Sequence, residues 1–524
     1  MFEILNIKKT NKISPRDIYS MQGAGVELNG RRYITHTTLE PKNTAASTFI
    51  LWQKLSITIL ILLICYGLIS KPLWTLTIIA GFLSFVYFLD VLFNLFLIIR
   101  SLGSPPDIIF SEDELNSLDE NKLPLYTILC PLYQEAKVVG RFIQSIEKLD
   151  WPTDKLDVIL LLEEDDKETQ RTAYEHYLPS YIRPVIVPHS LPKTKPKACN
   201  WGLSLAKGEF LVIYDAEDIP EPNQLKKAFL GFAKVPRNVI CLQAKLNFYN
   251  PYQNILTRLF TAEYSLWFDV ILPGLQSVQT CIPLGGTSNH FRIDDLLKLE
   301  GWDAFNVTED ADLGVRLFRA GYKTAIFDST TLEEANSQLG NWVRQRSRWV
   351  KGYIQTYLVH TRNPVAFINQ EGIHAIFFHI LLGGRIAFMF INPILWIVTF
   401  SYFALNGLVG ETIEAVYPGF VLYIAVTSFI VGNFMFIYYY MVGCAKRLQW
   451  SIIRYSIFVP FYWVLISCAA CVAIYQLIFK PHYWEKTKHG LDVPDSKSIL
   501  ENYQEKDYSI GTAFTKEVVL WPAR

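Results

Sequence analysis

The sequence predicts an α/β domain with a mostly parallel sheet, set between membrane-spanning helices and accompanied by amphipathic helices at the membrane interface. Three observations lead to this prediction. Hydrophobic residues make up 51% of the 524-residue chain and mean hydropathy is +0.19, which is too apolar for an ordinary soluble protein. The apolar residues concentrate in long runs near both ends. Between those runs, a polar central block alternates short strand patterns with helical patterns.

Two apolar runs near the start, at about 55–70 and 73–99, predict a transmembrane hairpin over residues 48–100. A helix needs about 20 apolar residues to cross the hydrocarbon core of a bilayer. Lysine and arginine are frequent in residues 1–47, and Arg100 follows the second run. Because basic residues favour the cytosolic side, the N-terminal segment 1–47 and the central block are predicted to be cytosolic.

The central block begins with a polar linker, residues 101–122, and continues as the α/β domain over residues 123–340. Alternating strand and helix patterns predict a parallel sheet that binds its ligands at the carboxyl ends of the strands. The strand patterns lie at 123–133, 156–166, 183–189 and 208–218.

Two amphipathic segments, 254–276 and 341–360, mix charged, aromatic and apolar residues. They are interpreted either as helices lying at the membrane surface or as ordinary surface helices of the α/β domain, and the sequence favours neither. Residues 341–372 are assigned to interface helices on the first interpretation.

Apolar runs at about 375–403 and 418–442 predict two more spans within residues 373–445. The loop between them is acidic and has no lysine or arginine, as expected outside the cell.

A last apolar run, about 451–479, has basic flanks on both sides and contains Arg454 and Pro460. A true span would leave one basic flank outside, and proline interrupts helical hydrogen bonding. Residues 446–490 are therefore predicted to form an interface or re-entrant element that returns to the cytosolic face, which leaves four spans. A C-terminal tail, 491–524, follows.

The eight cysteines are scattered and predict packing residues in a reducing compartment. Cys468 and Cys471 have a C-x-x-C spacing but no second pair, so a zinc site is not expected. The formal net charge of zero gives no indication of a nucleic-acid partner.

Acidic residues follow two of the strand patterns. Glu164 and Asp166 could accept hydrogen bonds from a nucleoside, although taken alone they are better explained by a solvated acidic turn. Asp215 and Glu217 are two residues apart at a strand end and could share one Mg²⁺ or Mn²⁺ ion, which favours carboxylate oxygens. Asp218 is expected to cap the next helix.

Two further polar clusters come later in the chain. Glu309 and Asp310 stand at the start of a predicted helix, where capping is the alternative explanation. In the second cluster, Arg348 can clamp a phosphate and Trp349 can stack on a sugar, with Gln345 beside them. A basic helix at the membrane surface is the alternative there.

In this order, the acids at 215–218, the T-E-D triplet at 308–310 and the Q-x-x-R-W motif at 345–349 resemble the processive members of inverting glycosyltransferase family 2. That group includes cellulose, hyaluronan, chitin, curdlan and mannan synthases. The resemblance covers roughly residues 50–490 and implies a GT-A-type fold for the α/β domain. Glu217 replaces the family's second aspartate, and the W-E-K-T-K segment differs from the cellulose synthase pattern, which favours another product.

The resemblance also implies a mechanism. Asp310, with Glu309 beside it, would act as general base, while Arg348 and a divalent cation on Asp215 and Glu217 would stabilise the departing diphosphate. Substrate-binding residues implied in the same way are Lys197 and Asn200 in the lysine-rich segment, Gln345 and Trp349, and Trp484, Lys486 and Thr487 in a gating-like segment.

The function predicted from these features is processive transfer of sugar from a nucleotide-sugar, such as UDP-glucose, to a β-linked polysaccharide. The alternative is a single transfer to a lipid-linked acceptor, and a transporter or inactive scaffold is a third, less favoured class. The expected partners are the nucleotide-sugar, the polysaccharide, the lipid bilayer and accessory export proteins. The expected location is the inner or plasma membrane, as a multi-pass protein with a cytosolic catalytic domain.

Overall fold

A computed structural model describes residues 21–28, 30–103, 106–484, 486, 487 and 490. The predicted tail 491–524 and the first twenty residues of the predicted N-terminal segment lie outside these described residues.

The strands fall into a short hairpin near the N-terminus and one large sheet. Strands β1 and β2 form the hairpin, and β3, β4, β5 and β6 correspond to the four strand patterns expected from the sequence. The strands are β1 Gly25–Leu28, β2 Arg31–Ile34, β3 Tyr126–Leu132, β4 Leu156–Glu163, β5 Ile182–Val187, β6 Phe210–Ile213, β7 Ile219–Pro220, β8 Val239–Phe248, β9 Asn289–Arg292 and β10 Lys323–Glu333.

The large sheet has the strand order β5-β4-β3-β6-β9-β8-β10-β7. Strands β3 to β6 are parallel, as are β8 and β10, whereas β9 and β7 run antiparallel to their neighbours. All eight residues of β4 are buried, as expected for a parallel strand covered on both faces. The prediction of an α/β domain with a mostly parallel sheet is confirmed, and the carboxyl ends of β3, β4 and β6 lie side by side.

Nineteen α-helices occur in the described part of the chain, together with two π-helical and four 3₁₀ segments. The α-helices are α1 Leu51–Ser70, α2 Pro72–Gly103, α3 Glu112–Asn116, α4 Val139–Glu147, α5 Lys167–Glu175, α6 Lys195–Leu203, α7 Gln224–Lys234, α8 Ile255–Leu266, α9 Leu272–Ser277, α10 Ile293–Lys298, α11 Glu309–Arg319, α12 Leu339–His360, α13 Pro364–Glu371, α14 Ile373–Phe378, α15 Arg385–Ala404, α16 Asn406–Val416, α17 Gly419–Lys446, α18 Trp450–Ile453 and α19 Val459–Phe479. The π-helical segments are Trp267–Ile271 and His379–Gly384, and the 3₁₀ segments are Pro41–Asn43, Glu120–Lys122, Thr153–Lys155 and Arg454–Phe458.

Five helical stretches of the described chain are long and apolar enough to cross a membrane, which indicates membrane association. Four coincide with the predicted spans, and the fifth is the run predicted to return to the cytosolic face. The stretches are Leu51–Ser70, Pro72–Gly103, Ile373–Ala404, Gly419–Lys446 and Trp450–Phe479.

The fifth stretch is held to the sheet-bearing domain on both sides. At its start, the Ser265 hydroxyl of α8 donates to Gln449 Oε1 at 2.7 Å. Just past its end, Lys351 Nζ of α12 donates to the Tyr483 carbonyl at 2.6 Å. Pro460 lies in the first turn of α19, where its missing N–H costs no helical bond. The return of this segment to the cytosolic face stays a prediction.

Three other expectations are refined by the structure. The predicted linker 101–122 contains α3, and Ile108 pairs with β10. The acidic loop between the third and fourth spans is the helix α16. The amphipathic segment 254–276 is buried between the sheet and helices α17 and α19, so it is not an ordinary surface helix.

Candidate active site

A cavity of about 1770 Å³, counting the space at its opening, lies at the carboxyl ends of β3, β4 and β6. Its walls come from the sheet domain, from α8 and α12, and from the apolar helices α15 and α19. The charged residues that line it are Glu135, Glu163, Lys193, Lys195, Asp215, Glu217, Glu263, Glu309, Asp310, Glu333, Arg346, Arg348, Arg385 and Lys486.

Asp215 and Glu217 follow the end of β6 and line the cavity. The backbone N–H of Asp215 donates to Asp218 Oδ2 at 2.7 Å, and the Thr287 hydroxyl donates to the same oxygen. Asp218 thus fixes the turn that presents the two acids. The predicted capping role of Asp218 is wrong, because α7 begins after Asn223.

The acids at this turn suit a divalent cation in their chemistry. The described residues include no group of three or more His, Cys, Asp or Glu side chains arranged to hold a metal by themselves. Mg²⁺ is usually bound by one or two carboxylates together with substrate phosphates and water, and Asp215 with Glu217 fits that donor set. The site is therefore compatible with a cation that arrives with a nucleotide diphosphate.

Lys195, which was not predicted, is the first residue of α6 and reaches the same turn. Its Nζ lies 2.5 Å from Asp215 Oδ1 and donates to the Gly286 carbonyl at 2.7 Å. Burial alone would lower the pKa of Lys195, but the carboxylates of Asp215 and Glu309 outweigh burial and raise this pKa. Lys195 is therefore a fixed positive charge beside the acids.

Glu309 and Asp310 begin α11 and also line the cavity. Burial is the largest cause that raises their pKa values, to about 7 for Glu309 and about 6 for Asp310. Asp310 Oδ1 accepts a hydrogen bond from the Ala311 N–H at 2.7 Å. Gly286 faces Asp310, since a Cβ placed on this glycine would lie 3.3 Å from Asp310 Oδ2. Asp310 is thus a carboxyl group poised to exchange a proton near neutral pH.

Helix α12 brings Gln345, Arg348 and Trp349 to the cavity. Burial lowers the pKa of Arg348, while the surrounding carboxylates, Glu309 foremost, oppose that effect. Gln345 Oε1 accepts from Asn336 Nδ2 at 2.8 Å, which holds the start of the motif against the sheet domain.

Arg346, the residue after Gln345 in the Q-x-x-R-W motif, also lines the cavity and pairs with Glu263 of α8. Arg346 Nη1 lies 2.9 Å from Glu263 Oε1, and the Tyr462 hydroxyl of α19 donates to Glu263 Oε2 at 2.7 Å. The guanidinium also lies over the rings of Trp342 and Trp349, at 5.2 and 4.7 Å from their centroids. This buried network joins three helices and fixes the indole of Trp349.

Residues 480–484, 486 and 487, which we call the closing segment, contribute Trp484, Lys486 and Thr487 to the lining of the cavity. The indole of Trp484 lies under the Arg348 guanidinium, 5.2 Å from ring centroid to Cζ. Lys486 Nζ is 2.5 Å from Glu135 Oε1 and also donates to the Tyr133 carbonyl. Thr487 is buried and lines the cavity. The three predicted residues of this segment are therefore brought to the same cavity as Asp215 and Asp310.

Glu164 and Asp166, the two acids predicted to bind a nucleoside, do not line the cavity. Glu164 Oε2 accepts from the His189 N–H at 2.7 Å, and Asp166 Oδ1 accepts from the Thr169 N–H at 3.2 Å as the N-cap of α5. The neighbouring Glu163 lines the cavity instead, because it is the last residue of β4 and its side chain points to that face. Alternation of side chains along a strand is the signal that could have found it.

Lys197 and Asn200 are likewise not brought to the cavity. Lys197 is fully buried and its Nζ lies 3.0 Å from Glu163 Oε2, so it supports that acid from behind. Asn200 uses its amide in structural hydrogen bonds, donating to the carbonyls of Thr35 and Trp302 at 3.1 and 2.9 Å. The sequence marks the lysine-rich segment but does not tell which lysine faces the ligand.

Comparison with known proteins agrees with this geometry. Residues 124–352 match the family model "Glycosyltransferase like family 2". These residues form a glycosyltransferase family 2 domain. The predicted GT-A-type fold of the family 2 domain is confirmed. A mannosyltransferase from Pyrobaculum calidifontis, solved with GDP-Man and Mn²⁺, matches with a TM-score of 0.50 at 19% identity, over 76% of this chain and 99% of its own.

Two curated relatives match part of the chain at low identity. The probable glycosyltransferase YdaM of Bacillus subtilis is 27% identical over 239 residues, which is 44% of this chain and 56% of YdaM. The probable glucomannan 4-beta-mannosyltransferase 7 of Oryza sativa subsp. japonica is 26% identical over 302 residues, 55% of this chain and 51% of the relative. The chain thus spans about half the length of these relatives.

Proposed function

We propose that this protein is a membrane-embedded, processive, inverting glycosyltransferase. It transfers a hexose from a nucleotide diphosphate hexose to a growing β-linked polysaccharide and passes the product towards the membrane. The observation that carries the proposal is the make-up of the cavity. Asp215, Asp310 and Arg348 share one cavity with Met389 and Trp463, which belong to the apolar helices α15 and α19. The reacting groups therefore face the helix bundle directly.

The chemical step needs a base for the acceptor hydroxyl. Asp310 takes the proton of that hydroxyl, whose oxygen then forms the new bond to the anomeric carbon from the side opposite the nucleotide. The bond from the anomeric carbon to the phosphate oxygen breaks, and the nucleoside diphosphate leaves with the electron pair. A carboxyl group with a pKa of about 6 is mostly ionised at pH 7 and suits this role.

The departing diphosphate gains negative charge, and the cationic side of the cavity is arranged to receive it. Arg348 and Lys195 lie on the walls around the turn that carries Asp215 and Glu217. When bound at that turn, Mg²⁺ or Mn²⁺ would neutralise charge on the diphosphate. The Mn²⁺ of the Pyrobaculum mannosyltransferase complex supports this assignment.

The acceptor site is aromatic, as expected for a sugar chain. Trp349 is held by the Arg346–Glu263 pair, and Tyr353 and Trp463 continue the lining towards the helices. Aromatic faces stack on the apolar faces of sugar rings, while Arg346 is already neutralised by Glu263. The aromatic lining therefore favours a saccharide at that wall.

The donor is a nucleotide hexose, with UDP-glucose expected from the sequence and a mannosyl donor supported by the names of two similar proteins. Closure of Trp484, Lys486 and Thr487 over the cavity would exclude water and hold this donor. The ammonium group of Lys486 would then interact with both Glu135 and the diphosphate of the donor.

The test is a transfer assay with purified protein in proteoliposomes, supplied separately with radiolabelled UDP-glucose, UDP-N-acetylglucosamine and GDP-mannose. Release of nucleoside diphosphate together with a polymer that sediments and resists organic extraction is the expected result for one donor. Label found only in the organic phase, as a lipid-linked sugar, would replace the polysaccharide synthase with the single-transfer alternative. Hydrolysis of no donor at all would reject the transferase proposal.

A further inference from the structure

The chain ahead of the first apolar helix, residues 21–47 without residue 29, forms an N-terminal strap that packs on the family 2 domain. It lies outside the region matched by the family model. It begins with the hairpin β1–β2, and Gly30 at the turn has a φ of 70°. The hairpin was not predicted from the sequence, although an Asn-Gly pair at this point is the sequence signal for a two-residue turn.

The strap is fixed first to helix α6 and to the loop ahead of α11. Asn200 Nδ2 donates to the Thr35 carbonyl at 3.1 Å, while Asn200 Oδ1 accepts from the Trp302 N–H at 2.9 Å. The Thr38 hydroxyl donates to Glu300 Oε1 at 2.7 Å. One amide side chain thus joins the strap to the loop that leads to Glu309 and Asp310.

A buried carboxylate makes the second attachment. Asp303 is fully buried and accepts from the Ala45 N–H at 2.6 Å with Oδ2 and from the Phe305 N–H at 2.9 Å with Oδ1. A buried carboxyl that loses such donors is costly, so the strap and the loop are held together by a strong constraint.

The third contact reaches the closing segment. Phe305 is buried between the Tyr33 ring of the strap, at 5.5 Å between centroids, and the His482 ring of the closing segment, at 5.3 Å. His482 also lies beside the backbone carbonyls of Ala46 and Phe305. Two residues later, Trp484 stacks on Arg348.

From these contacts we propose that the N-terminal strap positions the closing segment, through the edge-to-face contacts of the Phe305 ring with the rings of Tyr33 and His482. The same strap holds the loop before Asp310. One piece of chain therefore positions both the catalytic base of the proposed reaction and the closing segment. The proposal rests on the proposed function in one respect, namely that the closing segment covers a bound nucleotide-sugar. Tyr33, Phe305 and His482 are positioning residues and do not touch the substrate.

The first test is limited trypsin digestion of the full-length protein in detergent, followed at Lys486. This lysine is only 17% exposed in its ion pair with Glu135, so cleavage after it reports opening of the closing segment. We expect Tyr33→Ala to speed this cleavage roughly 2- to 10-fold. This factor corresponds to the free energy of one aromatic pair, because the cleavage rate follows the population of the open state when opening is at equilibrium. Tyr177→Ala is the matched control, because Tyr177 is 94% exposed.

The second test is kinetic and uses the donor that supports transfer. Tyr33→Ala should raise the KM for the nucleotide-sugar by a similar factor while the KM for the acceptor stays unchanged, and Tyr33→Phe should restore both cleavage and KM. His482→Ala should give the same change, and combining it with Tyr33→Ala should add little, because both variants break the same chain of ring contacts through Phe305.

The outcomes distinguish a failure of the proposed role of the strap from a failure of the proposed function. Wild-type cleavage and donor KM in a correctly inserted Tyr33→Ala variant would overturn the strap's role, as would fully additive effects of Tyr33→Ala and His482→Ala. If Tyr33→Ala does not fold, Tyr33→Leu, which removes the aromatic ring but keeps apolar bulk beside Phe305, is tested by the same criteria. Protein that transfers no sugar but still opens on Tyr33→Ala would contradict the transferase proposal and leave the strap's role in place.

Discussion

Helix α12 touches the start of α11 through Gly352, and this contact yields a sharp prediction. A Cβ at residue 352 would lie 2.3 Å from Thr308 Oγ1, 2.5 Å from its Cγ2 and 2.7 Å from its Cβ. Ordinary carbon contacts are at about 3.5–4.0 Å, so one helix must move by roughly 1 Å. Rotation of Thr308 about χ1 does not relieve the contact, because its Cβ is involved. The displaced residue is followed directly by Glu309 and Asp310.

We expect Gly352→Ala to lower kcat about 100-fold, since a misplacement of about 1 Å at a reacting group can cost that much. Overpacking should also lower stability by about 1–3 kcal/mol. The measurement is turnover and donor affinity in proteoliposomes, with donor affinity expected to change little. Gly340→Ala in the same helix is the control, because a Cβ there meets nothing within 4 Å. Wild-type kcat in a folded Gly352→Ala protein would refute this reasoning.

Four further predictions concern the charged groups. Asp310→Asn should lower kcat about 10²- to 10⁴-fold with donor affinity retained, as measured by single-turnover assays and calorimetry; substantial turnover would exclude the base role. Because the pKa of Asp310 is raised to about 6 and its ionised form is the base, kcat should rise with pH through about 6 and level off above it in a pH–rate profile. A chelator should abolish transfer until Mg²⁺ or Mn²⁺ is restored, and Asp215→Asn should raise the metal concentration needed; full activity in excess chelator would remove the cation from the mechanism. Glu263→Gln leaves the Arg346 guanidinium buried without its carboxylate, so the free energy of unfolding should fall by about 3 kcal/mol in thermal unfolding. Adding Arg346→Met should recover part of this loss. Equal stability of the single variant and the wild type would contradict a strong pair.

The buried pair of Glu263 and Arg346 also explains why the last apolar run packs where it does. Tyr462 of α19 donates to Glu263, and Lys351 of α12 donates to Gln476 near the other end of α19 at 3.1 Å. Polar side chains within an apolar helix are usually directed towards protein rather than lipid. The aromatic wall of the cavity and the last helix are therefore parts of one packed unit.

The sequence alone was sufficient for features set by local pattern. Strands such as β4 are continuous apolar runs, and the acids at Asp215 and Asp310 follow a strand or begin a helix, so their place at one sheet edge follows from topology. The apolar helices could be predicted because a run of about 20 apolar residues is typical of a membrane-spanning helix.

Tertiary structure decided which side chains of each cluster face the cavity. Glu163 rather than Glu164, and Lys195 rather than Lys197, line it, because neighbouring residues on a strand or a helix turn point in different directions. The partners of Arg346 and Asn200, namely Glu263 and Thr35, are 83 and 165 residues away in the chain. Local pattern carries no information about such pairings, since only the folded chain brings distant polar groups together and buries them.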